Sequence, residues 1–100
     1  MCGAPAQKAN GAGLEGVDLK TQTVIQGVVE SDGAPVPAAY VRLLDATGEF
    51  TAEVVSSATG DYRFFAAPGA WTLRALSPAG RGQTAVIAER GLTEAAIALS

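Results

Sequence analysis

From Thr23 onward, short runs rich in β-branched and apolar residues are separated by Gly, Pro, Asp and Ser breaks at intervals of about ten residues. That punctuation leaves no room for a helix of ordinary length. It is the pattern of an all-β sandwich or barrel, in which each run is one strand and each break one turn. Seven runs qualify, at 23–29, 39–45, 51–57, 61–65, 69–76, 82–88 and 93–99. The breaks carry turn chemistry. Ser31-Asp32-Gly33 supplies a turn residue with positive φ, Thr59-Gly60-Asp61 reads as a tight hairpin, and Pro68-Gly69 as a type II turn. Pro35 and Pro37 read as loop residues, since neither can donate to a ladder. The seventh run contains Glu94-Ala95-Ala96-Ile97-Ala98, which propensity alone would allow as a helix start. The surrounding pattern makes it a strand.

Residues 1–21 contrast with this texture. They hold several Gly and Ala but few large apolar groups, too little to offset an ordering cost of roughly 1–2 kcal/mol per residue. A flexible N-terminal tail over 1–21 and one β-sandwich domain over 22–100 are therefore expected.

Alternation within the runs assigns side chains to faces. Val41, Leu43, Tyr62, Phe64, Trp71 and Leu73 are expected inside, and Arg42, Arg63 and Arg74 outside between them. Trp71 and Phe64 are the expected centre of the core. Gly27 is expected to let a bulky neighbour such as Trp71 approach the first strand. The core must be economical, because 20 of the apolar residues are Ala.

Several function classes are excluded or disfavoured by composition. The chain has no His and one Cys, which removes Ser-His-Asp and Cys-His catalysis, His-bearing zinc sites and an internal disulfide. No carboxylate pair is spaced for glycosidase work, and Asp61 after Gly60 reads as a turn residue. No enzyme activity, cofactor or metal is expected. A formal charge of −3 argues against nucleic acid as a partner. No apolar run approaches the roughly 20 residues that span a bilayer, and the first residues carry no apolar segment. A cytoplasmic protein with a free thiol is expected.

Two sets of residues remain as candidate sites. Cys2 is the one thiol, and as a thiolate it could accept a sulfane sulfur to become a persulfide. Tyr40, Arg42, Arg63, Phe65 and Arg74 are expected on one outer face, where they would form a partner surface or bind a small anion such as sulfate or thiosulfate. The plain alternative pairs these arginines with Glu53, Asp45 or Glu49 as an ordinary solvated sheet face. Edge strands leave a homo-oligomer open.

The segments Ile25-Gln26-Gly27-Val28-Val29, Asp32-Gly33-Ala34-Pro35-Val36 and Ala39-Tyr40-Val41-Arg42-Leu43 resemble the opening of a carboxypeptidase regulatory-like domain. Gly60-Asp61-Tyr62-Arg63-Phe64 and Pro68-Gly69-Ala70-Trp71 resemble that family's next two strands. The resemblance covers about 22–76 and implies a transthyretin-type antiparallel sandwich of about seven strands. The hydrolysis of a urate-pathway intermediate by some transthyretin-fold relatives depends on histidines absent here.

A closer resemblance, carried by Met1-Cys2, by Glu49-Phe50-Thr51-Ala52-Glu53-Val54-Val55 and by Arg63-Phe64-Phe65-Ala66-Ala67-Pro68-Gly69, is to a small bacterial family of unknown function. Gene neighbourhood links that family to thiosulfate sulfurtransferase and sulfur metabolism. The resemblance implies a non-enzymatic adaptor accessory to a sulfurtransferase or another protein, or, in the alternative, a sulfur carrier with its persulfide on Cys2.

Overall fold

Alternating burial along each run builds strands, and the structure, a computed structural model, describes residues 20–100. It has nine strands: β1 Thr23–Ser31, β2 Ala34–Pro35, β3 Tyr40–Leu44, β4 Phe50–Val55, β5 Asp61–Phe65, β6 Gly69–Ser77, β7 Gly80–Ala88, β8 Gly91–Glu94 and β9 Ile97–Leu99. None of the described residues is helical. The expected tail lies outside the described residues except for Lys20 and Thr21, a turn leading towards β1.

The strands form two sheets. One is four-stranded and antiparallel throughout, in the order β4-β3-β6-β7. The other is built around β1, which pairs antiparallel with β2 and β5 and parallel with β8 and β9. Val24 sits between Phe65 and Leu92, so β5 and β8 flank β1 on opposite sides. The inner faces meet in a single core. Ile25, Val29, Tyr62, Phe64, Ile97 and Leu99 come from the β1 sheet, and Val41, Leu43, Val54, Leu73, Ala75 and Ala88 from its partner.

The all-β sandwich follows from the pattern, but five local expectations do not hold, the last of them at Gly27. First, the 93–99 run is two strands, and both pair parallel with β1. The chain leaves β7 in one sheet and enters the other running in the same direction as β1, so an antiparallel ladder is unavailable there. Second, Pro35 is a strand residue in β2; its missing N–H does no harm in a two-residue strand. The β1–β2 hairpin has the two-residue turn that strand twist favours, with positive φ at both Asp32 (52°) and Gly33 (80°).

Third, Thr59-Gly60-Asp61 does not close a hairpin. β4 and β5 belong to different sheets, and this segment carries the chain between them. Ser57 Oγ and Thr59 Oγ1 donate to the Asp61 carboxylate, and Asp61 N donates to Ser57 Oγ at 3.0 Å. Asp61 is thus a buried corner residue whose Oδ2 is engaged twice within its own turn. Fourth, Trp71 is half-buried at the margin of the core, its indole N–H donating to Ala67 O at 2.8 Å. The fully buried centre is Tyr62, Ile25, Leu43, Leu73 and Ile97.

Gly27 is required for another reason. A Cβ there would lie 1.7 Å from the carbonyl oxygen of Ala95 and 3.0 Å from the Tyr62 hydroxyl. Between β8 and β9 the Ala95 carbonyl enters the space that Gly27 leaves and accepts the Tyr62 hydroxyl proton at 2.5 Å, while Ala95 N donates to Gln26 O. The split in the last run and the glycine are one feature.

Burial pushes the Tyr62 phenol well above the ordinary tyrosine value of about 10. In the unfolded chain this phenol ionises near its ordinary value, so above about pH 10 the unfolded state binds fewer protons than the native one. The contribution of Tyr62 is therefore complete below about pH 10 and declines as pH rises further, by up to ~1.4 kcal/mol per pH unit. Urea midpoints measured from about pH 8 to about pH 11 should fall at the alkaline end. The same series on Tyr62→Phe should show a shallower fall; equal slopes would contradict the assignment.

Candidate interaction face

The outer face of the four-stranded sheet is built by the residues that alternation turns away from the core. Register places them in rows across the strands. Val55, Tyr40, Leu76 and Arg81 form one row, and Glu53, Arg42, Arg74 and Gln83 the next. Further along β4 lies Phe50, opposite Leu44 and past a register shift at Leu43/Leu44, and at the far end of β7 lies Ile87.

The start of β4 is set by the turn before it. Asp45 Oδ1 accepts from Thr47 N (2.8 Å), Thr47 Oγ1 (2.6 Å) and Glu49 N (3.1 Å). These bonds, that of the Thr47 hydroxyl foremost, hold the Asp45 carboxyl below its ordinary range. From this fixed turn Phe50 projects beside Arg42, whose guanidinium carbon lies 6.0 Å from the ring centroid.

Two properties distinguish this face. It exposes four large apolar side chains: Tyr40 (51%), Phe50 (61%), Leu76 (55%) and Ile87 (67%). Scattered exposed apolar groups are normal, whereas adjacent ones such as Tyr40 and Leu76, paired in register, are the kind that partners cover. It also carries three arginines against one carboxylate. Arg42 Nε is paired with Glu53 Oε2 at 2.8 Å, while Arg74 Nε donates to the neutral Gln83 Oε1 at 3.3 Å. A shallow groove of about 740 Å³ runs over this surface, with Tyr40, Arg42, Arg74, Leu76, Arg81 and Gln83 among its lining.

The residues expected on one face are divided by the structure. Tyr40, Arg42 and Arg74 come together, with Arg42 and Arg74 directly opposite each other on β3 and β6. Arg63 and Phe65 are on β5, in the other sheet, and face away from them. Arg63 Nε donates to Gln26 Oε1 at 3.0 Å, and Gln26 Nε2 to Glu94 Oε2 at 3.4 Å, a polar row across β5, β1 and β8. Alternation distinguishes inside from outside but carries no information on which sheet a strand joins; the switch at the Thr59-Gly60-Asp61 corner decides that.

Phe50, Leu76, Arg81 and Ile87 are not among the expected site residues. The signal for Arg81 was present, since Arg81, Gln83, Ala85 and Ile87 alternate outward, but a strand begun at residue 82 omits its first member. Cys2 lies outside the described residues. Among the described residues no three His, Cys, Asp or Glu side chains gather as a metal site, and no helix is long and apolar enough to cross a membrane.

A profile of the family described as "Protein of unknown function (DUF1416)" matches residues 2–99. Uncharacterized proteins Rv0814c and Rv3118 of Mycobacterium tuberculosis (strain ATCC 25618 / H37Rv) are each 61% identical over 88 residues, covering 86% of this chain and 85% of theirs. An uncharacterized protein of Mycolicibacterium smegmatis is 65% identical over 72 residues, covering 71% of this chain and 80% of its own. Among solved structures, the crystal structure of a DUF3823 family protein from Parabacteroides merdae ATCC 43184 superposes with a TM-score of 0.64 at 15% identity. That match covers 80% of this chain and 46% of the other, so the chain spans about half the length of that structure. At this identity the likeness is one of fold, and the fold is again a β-sandwich.

Proposed function

The chain belongs to the DUF1416 family of unknown function, and from that premise we propose that it is a non-enzymatic interaction module that docks a protein partner on the outer face of the β4-β3-β6-β7 sheet. The observation that carries this reading is the pair Tyr40 and Leu76, each more than half exposed and opposite each other in register, beside Arg42, Arg74 and Arg81, with Phe50 and Ile87 exposed further along the same sheet face. Aromatic and Arg side chains are enriched in the centres of protein interfaces.

We read the sandwich as carboxypeptidase regulatory-like on the strand motifs between residues 22 and 76, and the module as cytoplasmic. The resemblance of the Glu49–Val55 and Arg63–Gly69 segments to a family linked with sulfur metabolism makes a thiosulfate sulfurtransferase the first partner to test. The alternative, a carrier holding a persulfide on Cys2, rests on the one thiol of the chain.

Calorimetric titration of the purified chain with the sulfurtransferase of the same organism tests the reading. Saturable binding is expected, weakened about tenfold or more, or about 1.4 kcal/mol, by Tyr40→Ala with Leu76→Ala, and unchanged by Phe65→Ala on the other sheet. The opposite ranking of these variants would move the docking surface to the β1 sheet and overturn the assignment. Absence of binding would remove the sulfurtransferase as partner. Intact mass recorded after adding thiosulfate and enzyme, beside a Cys2→Ser control, addresses the alternative: a sulfur-sized gain confined to the unaltered chain would establish the carrier.

A further inference from the structure

Resting on the reading that this face docks a protein, we propose that its occupant is an extended acidic segment of a different protein, which places a carboxylate on Arg74 and Arg81 and an apolar side chain two residues away on Tyr40 and Leu76.

The charges of the three arginines are not equivalent. Arg42 is compensated by Glu53 at 2.8 Å and lies beside the Phe50 ring. Arg74 is oriented by Gln83, whose amide oxygen takes its Nε–H without cancelling its charge. Arg81 is anchored through its backbone, Ser100 N donating to Arg81 O at 3.0 Å and Arg81 N to Ser100 O at 3.4 Å, while its side chain is exposed. Among the described residues neither Arg74 nor Arg81 has a carboxylate within ion-pair distance. Arg81 pairs with Leu76 and Arg74 with Gln83, so the two guanidinium-bearing positions are diagonal neighbours on β6 and β7. They flank one groove and are directed at the same volume of solvent. Guanidinium groups so placed suit a planar carboxylate, which each can bind with two N–H donors.

The apolar part of the site is one step further along the strands. Leu76 is two residues from Arg74 on β6, so the row of Arg74 and the row of Tyr40 and Leu76 are separated by about 7 Å, while Arg81 stands at the end of the latter row, opposite Leu76 and diagonal to Arg74, within reach of a long side chain. Side chains two apart on an extended peptide have that same spacing and point the same way. A segment with a carboxylate at one position and Leu, Ile or Phe two residues on therefore matches both rows.

Charge also selects against other occupants. A second copy meeting this face symmetrically would set three arginines and one glutamate against the same set, a net meeting of like charge. A polyanion such as nucleic acid would meet the overall charge of −3 beyond the groove. A single carboxylate with an apolar neighbour engages the local excess of positive charge without extending into the rest of the surface.

The test is amide chemical-shift mapping on the full, isotope-labelled chain. The probe is a blocked five-residue peptide with a central leucine, serines on either side and glutamates at both ends; the reference has glutamines in their place. Saturable shifts are expected in β3, β6 and β7 with the glutamate peptide only. They should weaken as salt is added, and by about tenfold or more in Arg74→Gln with Arg81→Gln, two exposed changes that leave the remaining spectrum native. Arg90→Gln, an exposed change outside the groove, should bind as the unaltered chain does. Equal shifts with the glutamine peptide, shifts confined to β1, β5 and β8, or no shifts at the solubility limit would each overturn the proposal. Concentration-dependent shifts on this face without peptide would overturn it in favour of a second copy. If the peptide fails while protein binding remains sensitive to Tyr40 and Leu76, docking stands and the acidic occupant alone falls.

Discussion

Gly27→Ala is expected to abolish the native fold or to cost ~3 kcal/mol or more, a large share of the ~5–15 kcal/mol that stabilises a domain. The added methyl would lie 1.7 Å from Ala95 O and 2.6 Å from Ala95 C, and both atoms are backbone. Rotation of a side chain cannot relieve the clash. Relief requires Ala95 to withdraw, which breaks its bonds to Gln26 O and from the Tyr62 hydroxyl and lifts the β8–β9 junction off β1. The informative control is Gly48→Ala, where φ is +86° but no atom lies within 4 Å of the new Cβ. That change should cost only the ~1–2 kcal/mol of a left-handed backbone. Urea denaturation followed by circular dichroism measures both. A Gly27→Ala chain as stable as Gly48→Ala would show that the Ala95 carbonyl does not approach β1 as described.

Tyr62 supplies the second large effect. Its ring is fully buried, tilted against Phe64 at a centroid separation of 6.1 Å, and its hydroxyl is the donor that satisfies the Ala95 carbonyl. Tyr62→Phe keeps the ring and deletes the donor, leaving a carbonyl inside the sandwich one partner short; a loss of ~1–3 kcal/mol is expected. Tyr62→Ala removes the ring as well and should cost ~3–5 kcal/mol. The difference between the two variants isolates packing from hydrogen bonding. Native-state hydrogen exchange adds a spatial readout: in Tyr62→Phe, protection should fall first for the β8 and β9 amides that pair with β1. A uniform fall across both sheets would mean that Tyr62 acts on global stability with no particular role at this junction.

Both predictions concern a junction that the amino-acid order does not announce. Gly27 is visible as a glycine inside a strand pattern, and such a glycine signals close approach of something. The choice of Trp71 as that neighbour follows from its size, but the Trp71 indole stays half-buried and bonded to Ala67 O. The true neighbour is a main-chain carbonyl, which has no signature in a side-chain pattern. The Ala-rich stretch around it, Glu94-Ala95-Ala96, reads ambiguously because Ala is compatible with helix, strand or bulge. Here small side chains let the backbone itself come close to β1.

The candidate face was legible in part for a related reason. Tyr40, Arg42 and Arg74 could be placed outward from neighbours of opposite character, and the structure sets them side by side in register. Arg63 and Phe65 obey the same alternation and are outward as well, yet they lie on the far side of the sandwich.

What the sequence by itself determined was local. The interval between breaks and the period-two alternation specify strands, and Val41, Leu43, Tyr62, Phe64 and Leu73 are core residues by that pattern alone. A pleated strand has two faces, and its own side chains suffice to say which is apolar. What only the tertiary structure decided was which strands share a sheet, which of them run parallel, and hence which outward residues become neighbours. Those choices are made by backbone hydrogen bonds and corner geometry, at Ser57, Thr59 and Asp61 and at Gly27 and Ala95. Because every strand offers the same N–H and C=O groups, the pairing carries almost no side-chain signal, and it is this pairing that places Arg74 and Arg81 on a face with Tyr40 and Leu76.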